Sequence, residues 1–229
     1  MKRYFITATG TDSGKTFVTC SLIWQLRARG RHVSALKPVA SGVDNSQLAA
    51  SDAGQMLAAL GRPLSDIDSI CPWRYNAPIS PDMAARLEGE KYSFKDLIAF
   101  CNTPTKADIQ FIEAVGGVTS PVTANHTVLD WALALSIPVV LVAGSYVGTI
   151  SHTLTALHSL KSHGVNVHSI IVNESAVSAA SINETIWSLT MHMKEKIPLH
   201  LFRRLDLGTE VWKNATDILE ATDILEDFL

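Results

Sequence analysis

The chain alternates short apolar segments with longer amphipathic ones. Short runs rich in β-branched and aromatic residues predict strands covered on both faces at 4–8, 32–37, 108–114, 137–144 and 167–174. Between them, apolar residues three and four positions apart predict helices at 15–30, 51–61, 127–136, 149–164 and 181–196. This alternation predicts an α/β fold with a doubly wound, mainly parallel sheet flanked by helices.

The remaining segments add an excursion and an acidic tail to this pattern. With 229 residues, 47% of them hydrophobic, the sequence predicts a single domain over 1–229 with a sizeable core. A proline-bearing, irregular excursion over about 62–107 contains one predicted helix, at 93–101. The acidic segment over about 205–229 repeats the hexapeptide ATDILE, which predicts a short amphipathic helix or a partly ordered end.

Charge and cysteine usage argue against several classes of protein. The net charge is −3 and the 19 Lys and Arg are scattered, which predicts neither a nucleic-acid nor a membrane partner. The N-terminus lacks the apolar core of a signal peptide, and no apolar run approaches the ~20 residues of a spanning helix. Cys20, Cys71 and Cys101 lack metal-site spacing, which predicts reduced, buried thiols in a cytoplasmic protein.

The first predicted strand leads into the sequence TATGTDSGKT at 7–16. This stretch partly matches the phosphate-binding pattern G-x-x-x-x-G-K-[ST]. Gly14, Lys15 and Thr16 supply the second half of the pattern, whereas Thr9 stands in place of the first glycine. The position of the stretch, between a strand and a helix, favours a phosphate loop.

A phosphate loop at this position makes specific demands on its residues. The backbone amides of 11–16 would surround phosphate oxygens at a helix N-terminus, where amides are unpaired and the helix dipole favours anions. Lys15 would bridge the β- and γ-phosphates, and the Thr16 hydroxyl would ligate Mg²⁺. The alternative is an ordinary helix start with Asp12 or Ser13 as the N-cap.

Other charged residues lie at predicted strand and helix ends. Glu113 ends a predicted strand beside the first one, which is the position of the acidic residue in P-loop proteins. Asp52 begins a predicted helix, where it is either a magnesium ligand or a helix-capping residue. Lys37 ends the second strand, and Pro38 keeps it extended. Lys37 is therefore either a solvated strand end or a second cation for a reacting phosphoryl group.

Seven segments taken together carry a family resemblance. In chain order they are GTDSGKT, KPVASG, SDA, APISPDMAA, EAVGG, YVGTISHTLTA and VNE. Their order and spacing, from residue 2 to about 175, resemble the dethiobiotin synthetase family. The resemblance implies a P-loop NTPase-like fold and a ligase of biotin biosynthesis. Such an enzyme uses CO2 and MgATP to close 7,8-diaminononanoate into the ureido ring of dethiobiotin, by way of a carbamate and a carbamic-phosphoric anhydride.

The resemblance also implies roles for individual residues. It implies catalytic roles for Lys37, Lys15, Thr11 and Ser41, and magnesium ligation by Thr16, Asp52 and Glu113. The ATP contacts that it implies are Asp12, Ser13, Gly14, Lys15, Thr16, Phe17, Asp52, Glu113, Gly116, Asn173 and Glu174. The diamine contacts that it implies are Thr11, Lys37, Ser41, Pro81, Gly116, Gly117, Tyr146, Gly148, Thr149 and Ser151.

The family also implies a homodimer in which the carboxylate tail of the substrate crosses the interface. The tail would meet the N-terminus of a helix on the other subunit, here the segment 144–152. This sequence departs from the family at Asp12, where Glu is usual, and in EAVGG, where EGAGG is commoner. It also departs at 198–208, the expected adenine-side loop.

Three other functions fit parts of the sequence. One is a nucleotide switch of the same superfamily, but such proteins carry a lysine at the position of Gly10, and they would favour a basic amphipathic tail over an acidic one. Another is the synthetase half of a glutamine-dependent, cobyrinate-type amidase, which needs a glutaminase domain beyond these 229 residues. The third is a nucleotide-binding subunit without enzymatic activity.

Overall fold

A parallel sheet forms the centre of the fold. The computed structural model describes residues 1–89, 92–205 and 210–215. Its strands are β1 (Lys2–Ala8), β2 (Val33–Leu36), β3 (Val39–Ser41), β4 (Trp73–Tyr75), β5 (Ile109–Glu113), β6 (Pro121–Thr123), β7 (His126–Thr127), β8 (Val139–Ala143), β9 (Val167–Asn173) and β10 (Leu199–Phe202). Six of these described strands form the central sheet, in the order β10–β9–β8–β1–β5–β2, and each neighbouring pair is parallel. The predicted doubly wound α/β fold is confirmed.

Helices connect the strands and cover the sheet. They are α1 (Lys15–Ala28), α2 (Asp52–Leu60), α3 (Pro81–Glu88), α4 (Phe94–Cys101), α5 (Val128–Leu135), α6 (Thr149–Ser162) and α7 (Ile182–His192). Short 3-10 helices lie at Asn45–Ala50, Leu64–Ser69 and Val211–Asn214. Because right-handed crossovers toward opposite edges of a sheet lie on opposite faces, α1 covers one face and α6 and α7 cover the other. No helix within the described ranges is both long and apolar enough to cross a membrane.

The topology brings three strand ends to one edge of the sheet. After β1 the chain runs to β2 and β5 on one side, and it then crosses to β8, β9 and β10 on the other. In the paired register, Ile6 of β1 lies opposite Glu113 of β5, and Leu36 of β2 lies opposite Ile112. The phosphate loop, Lys37 and Glu113 therefore meet at the switch point, where ligands bind in sheets of this kind.

The core is apolar and includes the cysteines. Phe5 of β1 and Trp131 of α5 are both fully buried, and their rings meet edge to face with centroids 5.1 Å apart. Cys20, Cys71 and Cys101 are free and buried, as predicted. Burial raises the pKa of the Cys71 and Cys101 thiols to about 12, so both stay protonated at neutral pH.

Two predictions from the sequence are wrong in the structure. The excursion over 62–107 contains two α-helices instead of one, because α3 starts at Pro81, a residue suited to the first turn of a helix. In the expected adenine-side loop, Leu199–Phe202 is a strand that pairs with β9 at the edge of the sheet. Of the acidic tail, only 205 and 210–215 lie within the described residues.

Candidate active site

The loop between β1 and α1 keeps its shape without the first glycine of the phosphate pattern. Thr9 continues the strand, because its N–H donates to the Val142 carbonyl at 2.9 Å. The backbone of Thr9 approaches Gly117 closely, because a Cβ added to Gly117 would lie 3.1 Å from the Thr9 carbonyl oxygen. At this contact the glycine is therefore Gly117, on the segment after β5, and not the residue at position 9. Gly14, with φ of 88°, is the N-cap of α1, and Asp12 also has a positive φ of 57°.

Lys15 points from the start of α1 toward backbone carbonyls. Its side chain is buried, and Nζ donates to the carbonyl oxygens of Gly10 at 3.2 Å and Gly116 at 2.8 Å. Burial, reinforced by the nearby positive charge of Lys37, lowers the pKa of Lys15 to about 8. The phosphate loop thus contains a lysine that titrates near neutral pH.

Lys37 lies between two carboxylates at the end of β2. Its Nζ is 2.7 Å from Glu113 Oε1 and 3.1 Å from Asp52 Oδ2, and it also donates to the Ala114 carbonyl at 2.9 Å. The Lys37 side chain is 2% exposed and that of Glu113 is 0% exposed, whereas Asp52 is 46% exposed. The Lys37 ammonium group is therefore buried between two carboxylates, that of Glu113, which is fully buried, and that of Asp52, which is partly exposed to solvent.

The two carboxylates control the charge of Lys37. Burial by itself lowers the pKa of Lys37, but the negative charges of Asp52 and Glu113 outweigh burial and raise it. The positive charge of Lys37 in turn lowers the pKa of Asp52. Lys37 is therefore fixed as a cation throughout the physiological pH range, unlike Lys15.

Hydroxyl groups of α1 complete the surroundings of Glu113. Thr16 donates to Glu113 Oε1 at 2.9 Å, and Thr19 donates to Oε2 at 2.6 Å. Together with Lys37, these contacts give both oxygens of the buried carboxylate a hydrogen-bond donor. The end of β5 is thereby tied to α1 and to the end of β2.

The hydroxyl of Thr16 and the carboxylates of Asp52 and Glu113 supply the hard oxygen atoms that Mg²⁺ prefers. The Lys37 ammonium already lies between these carboxylates, so the donor set is arranged to surround a positive charge. Among the described residues there is no group of three or more His, Cys, Asp and Glu that could hold a metal. A bound Mg²⁺ would therefore need phosphate oxygens and water to complete its coordination.

A cavity of about 670 Å³ opens above these groups, and Glu113, which is 0% exposed, lies behind its wall and does not line it. The sequence-predicted residues that line it are Thr11, Asp12, Gly14, Lys15, Thr16, Lys37, Ser41, Asp52, Pro81 and Gly116. The lining residues that the sequence analysis did not select are Pro78, Ile79, Ser80, Val115 and Ser120. Pro78, Ile79 and Ser80 belong to the segment APISPDMAA, which is part of the family resemblance. Ser120 lies after the segment EAVGG, and no sequence motif includes it.

Several predicted ATP contacts lie just outside this lining. The Asn173 side-chain amide donates to the Ser13 carbonyl at 3.4 Å, and a Cβ on Gly14 would lie 2.0 Å from that amide nitrogen. The Phe17 ring contacts Phe202 of β10, with centroids 5.6 Å apart. The ends of β9 and β10 therefore lie against the start of α1, beside the phosphate loop.

Glu174, which follows β9, is tied to the connection after β10. Its backbone N–H donates to the Phe202 carbonyl at 2.8 Å, and its carboxylate accepts from the Arg204 N–H at 3.0 Å. These contacts fix the segment next to Asn173.

The predicted tail-binding segment does not line the cavity of its own chain. Gly148, with φ of 93°, is the N-cap of α6, and the Thr149 hydroxyl donates to the Gly144 carbonyl at 2.6 Å. The Tyr146 hydroxyl is 3.0 Å from His152 Nδ1, and Ser151 is exposed in the first turn of the helix. The structure thus separates this helix start from the lysines, and its contact with a partner's substrate stays a prediction.

The fold and the loop define a P-loop NTPase-like protein. A family model described as an AAA domain matches residues 2–205, and the chain belongs to that family. A solved structure of chloroplast FtsY from Physcomitrella patens has the same kind of fold, with a TM-score of 0.50 at 13% identity. That likeness covers 91% of this chain and 60% of the solved chain, and it concerns the fold alone.

Similar sequences narrow the class to one family. A protein of Acidiphilium cryptum named ATP-dependent dethiobiotin synthetase BioD is 43% identical, over 84% of this chain and 89% of its own. Proteins with the same name are 42% identical in Phenylobacterium zucineum, over 96% of both chains, and 45% identical in Caulobacter vibrioides, over 81% and 85%. Within the P-loop class, the chain belongs to the dethiobiotin synthetase family.

The lowered pKa of Lys15 predicts how nucleotide binding depends on pH. The folded protein loses this charge as the pH rises through about 8, and an uncharged amine attracts phosphate less. We expect the affinity for ATP, measured by calorimetry without the diamine, to fall about tenfold between about pH 7 and about pH 9. Lys15→Arg keeps its charge and should flatten this dependence. Equal affinity of the unaltered protein at both pH values would contradict the assignment.

Proposed function

We propose that this protein is an ATP-dependent dethiobiotin synthetase, a carbon–nitrogen ligase of biotin biosynthesis. The observation that carries the proposal is that two buried lysines, Lys15 and Lys37, reach one cavity from different strand ends. Two anions that must react with each other, a triphosphate and a carbamate, need cations aimed at the group that passes between them. The arrangement therefore suits phosphoryl transfer to a second substrate.

The two lysines have different tasks in the proposed reaction. Lys15, at the helix N-terminus, binds the β- and γ-phosphates together with the amides of 11–16. Lys37, at the end of the neighbouring strand, contacts both the carbamate and the γ-phosphate. Because Asp52 and Glu113 hold Lys37 as a cation, it can neutralise charge that develops on the transferring group without first taking up a proton.

Thr16, Asp52 and Glu113 fit a magnesium ion bound together with ATP. Their oxygens are of the hard type that Mg²⁺ prefers, and the two carboxylates already hold a cationic group, the Lys37 ammonium, between them. A bound Mg²⁺ would neutralise phosphate charge during transfer. Glu113 also keeps Thr16 in place through its hydrogen bond.

The proposed reaction balances as a ring closure driven by ATP. One amine of 7,8-diaminononanoate adds to the carbon of CO2 and releases a proton, which gives a carbamate. A carbamate oxygen attacks the γ-phosphorus, and the bond to ADP breaks. The second amine then attacks the carbonyl carbon of the anhydride, loses a proton and releases phosphate, which closes the ureido ring of dethiobiotin.

The lining of the cavity suits an aliphatic diamine. Thr11 and Ser41 line the same cavity as Lys37, and their hydroxyl groups would contact the amines and the carbamate. Pro78, Ile79 and Pro81 form an apolar wall that methylene groups can cover. Because these side chains belong to the excursion, that segment would shape the diamine site, while the parallel sheet would hold the phosphates.

The proposal extends to a cytoplasmic homodimer. The N-terminus of α6, at Gly148 and Thr149, would receive the carboxylate of the diamine bound to the partner, because unpaired helix amides favour anions. The three free, buried thiols are typical of a reducing compartment.

Light scattering of the active protein should give twice the monomer mass, and full activity at the monomer mass would exclude composite sites.

Coupled phosphate release tests the proposed reaction. With ATP and Mg²⁺ present, we expect phosphate to be released only when both the diamine and bicarbonate are added, because transfer requires the carbamate. Mass spectrometry should find dethiobiotin in equal amount. ATP binding without such release would favour a nucleotide switch instead.

Replacement of Lys37 tests the assignment of the second cation. Lys37→Gln can still donate a hydrogen bond to Glu113, but it carries no charge toward the reacting group. We expect turnover to fall about 100-fold to about 1,000-fold, as for other removed transition-state donors, while ATP still binds. Lys161→Gln, on the surface and paired with Glu195, is the matched control and should keep full activity. Near-normal turnover of Lys37→Gln would remove Lys37 from the mechanism.

A further inference from the structure

Ser120 is a polar residue at the cavity to which neither the phosphate loop nor the family resemblance assigns a role. It lies in the turn that leads from β5 to β6, after the glycine pair Gly116–Gly117. Its side chain lines the same cavity as Lys37 and Ser41. Ser120 therefore forms part of the wall of the cavity that contains both lysines.

The Ser120 hydroxyl holds the shape of the turn. It accepts a hydrogen bond from the Gly117 N–H at 2.7 Å, and the Ser120 N–H donates back to the Gly117 carbonyl at 3.0 Å. Gly116 has a positive φ of 63°, and a Cβ on it would lie 2.3 Å from Ser120 Oγ. The Ser120 carbonyl accepts from the Val128 N–H at 2.9 Å, which anchors the turn to α5.

This turn, at 116–120, also contacts the phosphate loop at two points. The Gly116 carbonyl accepts from Lys15 Nζ at 2.8 Å. Gly117 lies against the backbone of Thr9 and Gly10, where an added Cβ would meet atoms at 3.1 to 3.3 Å. A change in the turn would therefore alter the backbone around Lys15 and the wall that faces the diamine.

We propose that Ser120 is a positioning residue, whose hydroxyl fixes the Gly116–Gly117 backbone against the phosphate loop and so shapes the diamine end of the cavity. The hydroxyl acts through this backbone and not on the reacting atoms. Its effect on the diamine rests on the proposed function, whereas its effect on the turn does not.

Two variants of equal shape test the proposal. Ser120→Thr keeps the hydroxyl, and Ser120→Val replaces it with a methyl group of similar size. Without diamine or nucleotide, we expect the Gly117 amide to exchange its hydrogen about threefold to about tenfold faster in Ser120→Val than in Ser120→Thr. Equal exchange in the two variants would overturn the proposal.

Kinetics of the same pair tests the link to the substrate. We expect kcat/KM for the diamine to be about threefold to about tenfold lower in Ser120→Val than in Ser120→Thr. The Kd for MgADP should differ by less than about twofold, because Lys15 loses at most one carbonyl partner in the turn while the amides of 11–16 still bind the phosphates. Thr119→Ala, at the exposed neighbouring position, should match the unaltered protein.

The two arms separate failure of this inference from failure of the proposed function. Different exchange with equal kcat/KM would overturn the link between Ser120 and the diamine. If the unaltered protein formed no dethiobiotin, the proposed function would fail, and the exchange rates alone would decide the role of Ser120 in the turn.

Discussion

A buried ion pair between Lys37 and Glu113 joins the two halves of the site. Both side chains are almost fully removed from water, so neither charge can persist without the other, and breaking such a pair costs about 3–5 kcal/mol. Their 2.7 Å contact joins the ends of β2 and β5, and the hydroxyls of Thr16 and Thr19 join the same carboxylate to α1. One carboxylate thereby fixes the relative positions of the phosphate loop and the second lysine.

The two lysines of the site differ in the groups that surround them and therefore in their pKa. Lys15 is held by carbonyl dipoles and has a lowered pKa, whereas Lys37 is held by full negative charges and has a raised one. Lys15 can therefore exchange weak partners for phosphate, while Lys37 remains a cation beside the position of the second substrate. The parallel sheet explains why both reach one cavity, because its strands end at the same edge.

The sequence predicted the elements that follow local rules, and it failed where long-range packing decides. The strands of the sheet interior, the phosphate loop and the strand-end residues Lys37 and Glu113 were predicted from periodicity and position. Helix α3 was missed because prolines around it suggest irregular chain, and β10 was missed because four residues at a sheet edge form a strand only by pairing with β9. Ser120 could not be found from the sequence, because its hydrogen bond depends on how the turn folds back on Gly117.

If Lys15 and Lys37 bring a carbamate oxygen to the γ-phosphate, that oxygen leaves with phosphate when the ring closes, and oxygen-18 can follow it. The reaction is started with oxygen-18 bicarbonate and measured before the label exchanges with water. We expect the released phosphate to carry one oxygen-18 atom per dethiobiotin formed. Phosphate that instead carries oxygen from the solvent would mean that water attacks ATP, and it would exclude attack by a carbamate oxygen.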